Sequence, residues 1–169
     1  FDDFELIPAI AGSPSKMLAN FDDGTSRTAT GGSFSYGWGD SPDALFELVS
    51  PGRGASGFAA RVAGRLDGTQ DSRLAAQYKL DGAAVDLSSY AGIRFWVRGN
   101  GSFRFRSKQP TVTDWDDYAA PVHKASSDWQ AVTVWFRDLR QDGWGVTLPF
   151  TQDALSGFTI ESLTTLEYA

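Results

Sequence analysis

The stretch Asp86–Gly101, DLSSYAGIRFWVRGNG, with the FRFRSK that follows it, constrains this chain more than any other. Apolar and polar side chains alternate there with a period of two, the spacing that sends successive side chains to opposite faces of a strand. Ile93, Phe95 and Val97 point one way; Arg94, Trp96 and Arg98 point the other. Phe103 and Phe105 against Arg104 and Arg106 repeat the pattern. Gly99-Asn100-Gly101 between the two runs reads as a tight turn, so a β-hairpin is predicted. Its inner face is apolar, and its outer face carries arginines and an indole. That pattern suits an antiparallel sheet with one face on a core and one in water.

The rest of the chain reads as short strands separated by turn-forming residues. Strands are predicted at 17–21, 34–36, 45–49, 57–64, 73–80, 128–136, 158–161 and 163–168. Asp22–Ser41 is a long loop rich in Gly, Ser, Thr and Asp, and Thr111–Asp117 is a polar excursion. No window carries a long apolar stripe at helical spacing, so little helix is expected. Residues 1–16 read as a lead-in strand or arm, and residues 17–169 as a single domain. Strands at this spacing argue for an all-β fold, an antiparallel β-sandwich or jelly roll.

Composition removes several function classes. With 41% hydrophobic residues among 169, the chain can bury a full core. Cysteine is absent, which excludes disulfides, thiolate metal sites and a cysteine nucleophile. The net charge of −6 disfavours general nucleic-acid binding, because phosphate calls for a basic field. The lone His123 cannot build a zinc site by itself. No GxSxG, HExxH, P-loop or GxGxxG pattern occurs, and no apolar run approaches the roughly 18 residues of a membrane span. The start at Phe1 reads as that of a processed or excised product, and a secreted, periplasmic or cell-surface location is expected.

Several landmarks recur in order: FDDGT at 21–25, GGS at 31–33, DLSSYAGIRFWVRGNG, DDY at 116–118, DWQAVTVWFRDLRQDGWG at 128–145 and LSGFTIES at 155–162. In this order they resemble the galactose-binding-like jelly rolls of the complex I intermediate-associated protein family. They are similar also to bacterial carbohydrate-binding modules, those of family 11 in particular. The resemblance implies a sandwich that binds and does not catalyse, with a glycan laid along a concave sheet face. It implies as an alternative a protein-assembly domain on the same fold. A structural Ca²⁺ near the termini is implied too, with Asp22, Asp23 and Glu161 as candidate ligands and Asp2, Asp3 and Glu5 as a competing set. Turn capping is the plain alternative for Asp22 and Asp23.

The candidate ligand-binding residues are Trp96, Arg94, Arg98, Arg104, Arg106, Trp115, Asp116, Tyr118 and Trp135. An indole can stack on the C–H face of a sugar, and arginine grips carboxylates in a bidentate fashion. Trp135 has the opposite parity to Val132, Val134 and Phe136 and should share an outward face with Thr133. If the two arginine strands pair, like charges face one another. Something negative must then lie between them, either a ligand or the chain's own acids. Asp114, Asp116 and Asp117 in TDWDDY could bind hydroxyls, answer the arginines, or form a solvated turn. A pair of them acting as general acid and base would make the chain a small glycan-active enzyme. Trp144, between two glycines, is either a lid or a core plug; Trp38 and Tyr36 could rim a groove, and for Trp129 the resemblance implies a structural role. The expected partner is an oligo- or polysaccharide, with a catalytic or partner domain in the parent chain as a further expectation.

Overall fold

The structure, a computed structural model, describes residues 1–36, 45–55, 57–66, 74–79 and 84–163. The described residues are nearly all strand or loop. In chain order the strands are β1 (Asp2–Pro8), β2 (Lys16–Ala19), β3 (Ser33–Tyr36), β4 (Leu45–Val49), β5 (Ala59–Ala63) and β6 (Leu74–Lys79). They continue with β7 (Tyr90–Val97), β8 (Ser102–Lys108), β9 (Tyr118–Ala119), β10 (His123–Lys124), β11 (Gln130–Trp135) and β12 (Gly157–Ser162). One sheet has the order β11-β7-β1-β2; the other runs β10-β8-β12-β6-β3, with β9 paired to β8. A third, two-stranded ribbon is β4-β5. The pairings are antiparallel, and the chain passes back and forth between the two main sheets as in a jelly roll. The predicted strand at 163–168 lies outside the described residues except for Leu163, which is not in a strand.

The apolar halves of both alternating runs meet in the interior. Phe95 is fully buried and stacks on Phe4 at 5.0 Å between ring centroids. Across the sandwich its ring lies 6.3 Å from both Phe103 and Phe105. Phe105 continues to Phe158 at 5.0 Å, so an aromatic stack joins β1 and β7 of the first sheet to β8 and β12 of the second. Parity along each strand is thus as the alternation requires.

The expected hairpin is not formed. β7 and β8 belong to different sheets, and Gly99-Asn100-Gly101 is a crossing between sheets. The reason is edge occupancy. β7 bonds along one edge to β1 and along the other to β11, leaving no edge for β8. The crossing loop is instead secured by the segment after β10, with the Gly99 amide donating to the Ser126 carbonyl and the Ala125 amide to that of Gly101. Alternation cannot distinguish the two arrangements, since both bury Phe95, Phe103 and Phe105. The functional consequence is large. Arg94, Trp96 and Arg98 lie on the outer face of one sheet, and Arg104 and Arg106 on the outer face of the other.

Residues 2–8, read as an arm or lead-in strand, form an interior strand bonded on both edges, with Phe4 and Leu6 in the core. Between Asp2 and Glu5 the register slips by one residue, and Asp3 takes a left-handed φ of 47°. This β-bulge swings the Asp3 carboxylate out to the Arg53 guanidinium. Phe95→Ala should cost about 3–5 kcal/mol, because the ring bridges both sheets. Urea unfolding read by intrinsic fluorescence measures it, with the first-sheet outward variant Thr133→Ala as a near-neutral control.

Candidate functional site

On the outer face of the first sheet, most of the arginines and indoles are already paired. The Arg53 guanidinium, held by Asp3, lies 4.5 Å from the centroid of Trp96. An ion-paired cation thus already covers a face of this indole where a ligand would stack. Arg94 bonds Glu5, which also accepts a hydrogen bond from Ser15. The Ser15 bond, and after it Arg94, hold the Glu5 carboxyl below its usual range against the opposing effect of burial. Arg98 sits over Trp129 at 5.0 Å, and the more exposed Arg137 over Trp135 at 5.6 Å. Trp135 does point outward, 36% exposed, as its parity requires. Its ring edge lies over Gly92, where an added Cβ would come 3.2 Å from the indole and 2.3 Å from the Val134 carbonyl oxygen.

On the outer face of the second sheet, Arg104 and Arg106 project two residues apart from β8. Their mutual repulsion is answered by the chain's own acids. Glu161, fully buried on β12, accepts from Arg104 Nε at 3.0 Å and from Arg106 Nε at 2.8 Å through a single oxygen. Asp142 accepts from Arg104 Nη1 at 3.1 Å and Arg106 Nη2 at 2.7 Å. Arg106 Nη1 also donates to the Asp117 carbonyl at 3.0 Å. Burial pushes the Asp142 carboxyl up, but the Arg106 bond and the charge of Arg104 outweigh it and leave a net lowering. Burial raises Asp117, only partly offset by Lys108 and Arg106.

Beside this network two loops are clasped together by carboxylates. Asp116, fully buried, accepts from the amides of Asp142 (3.0 Å), Gly143 (3.0 Å) and Gly145 (3.1 Å). Asp114 accepts from the amides of Val146 (2.6 Å) and Asp116 (3.2 Å). Gln141 completes the clasp by donating to the carbonyls of Asp116 and Val146 and accepting from the Leu148 amide. Tyr118, buried, donates its hydroxyl to the Leu148 carbonyl and packs against Phe150. Asp116 and Tyr118 are therefore spent on shaping the loops. Position 145 must be glycine, because a Cβ there would lie 2.5 Å from Asp114 Oδ2 and 2.7 Å from the Asp116 Cβ.

This clasp presses backbone against carboxylates and expels the side chains between them. Trp115 is 75% exposed and Trp144 61%, with Val146 exposed two residues after Trp144. Trp115 holds a φ of 68°, a conformation costing an ordinary residue about 1–2 kcal/mol. The hydrogen bonds on both sides of it maintain that conformation. Among the described residues the Lys108 amine is the cation over the Trp115 ring, at 5.9 Å, and the same amine is 4.0 Å from Asp117. Trp144, Val146 and Asp142 stand outside the predicted set of site residues. The signal for Trp144 was its flanking glycines: Gly143 takes a left-handed φ of 89°, and Gly145 leaves room for the Asp114 carboxylate.

Asp22, Asp23 and Glu161 are not brought together. Asp22 accepts from the Asn20 side chain, Asp23 caps its own turn through the Thr25 amide and hydroxyl, and Glu161 is engaged by two guanidinium groups. Asp2 and Asp3 turn to Arg53, and Glu5 to Arg94 and Ser15. Among the described residues no group of three or more acids or histidines is placed to hold a metal ion. His123 lies on the Phe103 ring at 5.8 Å, and burial lowers its pKa. Trp38 lies outside the described residues.

Asp116→Asn should destabilise the chain by about 1–3 kcal/mol and strip hydrogen-exchange protection from the amides of Gly143 and Gly145, while β7 and β8 stay protected. The Asp114 carboxyl is held below its ordinary 3.8 by the Val146 amide and then that of Asp116. A depressed folded pKa contributes stability that is complete above the unfolded value and lost as pH falls through the folded one. The Val146 amide shift should hence stay flat from about pH 5 upward and move only below 3.8, as an NMR pH titration reads directly.

No family model matches the chain, and no curated protein does. Among solved structures it is similar to the family 11 carbohydrate-binding module of the cellulosomal cellulase Lic26A-Cel5E of Clostridium thermocellum. That match has 15% identity and a TM-score of 0.48, covering 99% of this chain and 98% of that one. It is similar also to the family 11 carbohydrate-binding module from Clostridium thermocellum in complex with a β-1,3-1,4-mixed-linked tetrasaccharide, at 15% identity and a TM-score of 0.47, covering 99% of each chain.

Proposed function

We propose that this chain is a non-catalytic carbohydrate-binding module that takes a neutral glycan at the clasped loops beside the second sheet. One observation carries the reading. The two most exposed indoles among the described residues, Trp115 and Trp144, emerge from a loop pair fixed by buried and surface carboxylates. Sugar recognition by stacking calls for a free aromatic face held rigid before the ligand arrives, since ordering it on binding would cost affinity. Trp96, by contrast, carries the Arg53 guanidinium over its ring. Polar groups for hydroxyls lie close at hand: Lys108 against Trp115, Asp142 two residues from Trp144, and Arg104 on the same carboxylate. Their charges cancel within the chain, and Asp114, Asp116, Asp117, Asp142 and Glu161 surround them. That field repels a polyuronate and tolerates a neutral chain.

The acids of TDWDDY support binding better than hydrolysis. Asp116 accepts three amides and Asp114 two, so neither is free to exchange a proton with a glycosidic oxygen.

Affinity electrophoresis and calorimetry against soluble β-glucan, xylan, mannan, pectate and alginate test the proposal. Retardation is expected in at least one neutral gel and in neither uronate gel. Trp144→Ala and Trp115→Ala should each weaken binding about tenfold, the loss of one anchoring aromatic, and Trp96→Ala should leave it unchanged. Silence across the neutral panel, or equal loss from Trp96→Ala, overturns it.

A further inference from the structure

At the end of the sandwich away from the clasped loops, a cavity of about 460 Å³ opens between the β4-β5 ribbon and the ends of β7, β8 and β12. Small side chains make the room. Ala59, Ala60 and Ala63 of β5, all buried, face Val97, Phe103 and Ile160 of the two main sheets. Protein interiors rarely leave voids larger than a water molecule, whereas this volume falls within the range of small-molecule sites, roughly 300–1,000 Å³. Around this apolar floor the polar lining is Ser50, Asn100, Ser127 and Ser162; among the described residues its charged side chains are Arg61 and Arg98, and Phe1 also lines it with a terminal amine whose pKa burial lowers to about 5. Among the described residues no acid lines it, in a chain whose net charge is −6. Arg61 answers Glu47 at 3.1 Å. Arg98 lies over the Trp129 ring at 5.0 Å with no carboxylate partner among the described residues, so its N–H groups are available to a ligand.

We propose that this cavity binds a small amphiphilic anion, an alkyl or aryl group carrying one carboxylate or sulfonate. The apolar group fills the space beside the three alanines, and the anionic head is gripped by Arg98, whose guanidinium Trp129 holds in place. The site is separate from the glycan platform and does not depend on it. The clasp residues are absent from its lining, and it sits at the Phe103 end of β8, whereas Trp115 is near the Lys108 end.

The probe is 8-anilinonaphthalene-1-sulfonate, titrated into the folded chain by fluorescence, with ¹H–¹⁵N shift mapping. Saturable 1:1 binding is expected, with shifts confined to residues 59–63, 97–103 and the Trp129 indole. Arg98→Gln, at an exposed position, should weaken the probe at least about tenfold, the value of one charge-assisted pair. Ala63→Leu should abolish binding by filling the space, with its folding checked by the same spectrum. A cationic alkyl ammonium of equal size should bind far more weakly. Unsaturable binding, shifts at 114–117 and 141–146 in place of the cavity, equal affinity for the cation, or an Arg98→Gln variant as tight as the parent would each overturn the proposal. If neutral glycans fail to bind while the probe titrates as expected, the platform reading falls and this one stands.

Discussion

The saturation of β7 on both edges is the constraint from which the remaining geometry follows. A strand has two rows of hydrogen-bonding groups and can satisfy at most two neighbours. β1 and β11 take both, so the strand next in sequence must leave for another sheet. That departure turns one apparent arginine-rich face into two faces on opposite sides of the molecule. It also closes the interior, because Phe95 then meets Phe103 and Phe105 across a gap and not along one ladder.

Much of the fold was legible in the sequence because it rests on local rules. The period of two put Ile93, Phe95 and Val97 inside and left Arg94 and Trp96 outside, whichever strand came next. Turn-forming residues marked most strand ends to within a residue or two. What could not be read was partnership. Edge occupancy is a property of the assembled sheet, and the strand that fills β7's first edge lies some ninety positions earlier in the chain. The same limit applied to the acids. FDDGT and TDWDDY look alike as acidic runs. Yet Asp23 caps its own turn, whereas Asp116 reaches 26 to 29 residues along the chain to fasten a second loop.

Self-satisfaction of charge governs the surfaces. The sequence argument required a negative group among the arginines, and the chain supplies it internally at Glu161, Asp142, Glu5 and Asp3. Guanidinium groups that looked like ligand grips therefore act mainly as internal fasteners, and several also roof the neighbouring indoles. The exceptions are informative because pairing is the norm here. Trp144 has no cation over it among the described residues, and Arg98 has no acid.

The place of β12 carries a consequence for how this molecule is made. It is the last strand described, yet it lies between β8 and β6, near the middle of its sheet. Until it emerges from the ribosome, two strands with bare edges wait on either side of an empty slot, and the Glu161 needed to quiet Arg104 and Arg106 is missing. A nascent chain in that condition offers pairing sites to any extended segment nearby. Insertion of β12 thus joins β8 to β6 and brings Glu161 to the guanidinium pair at the same time.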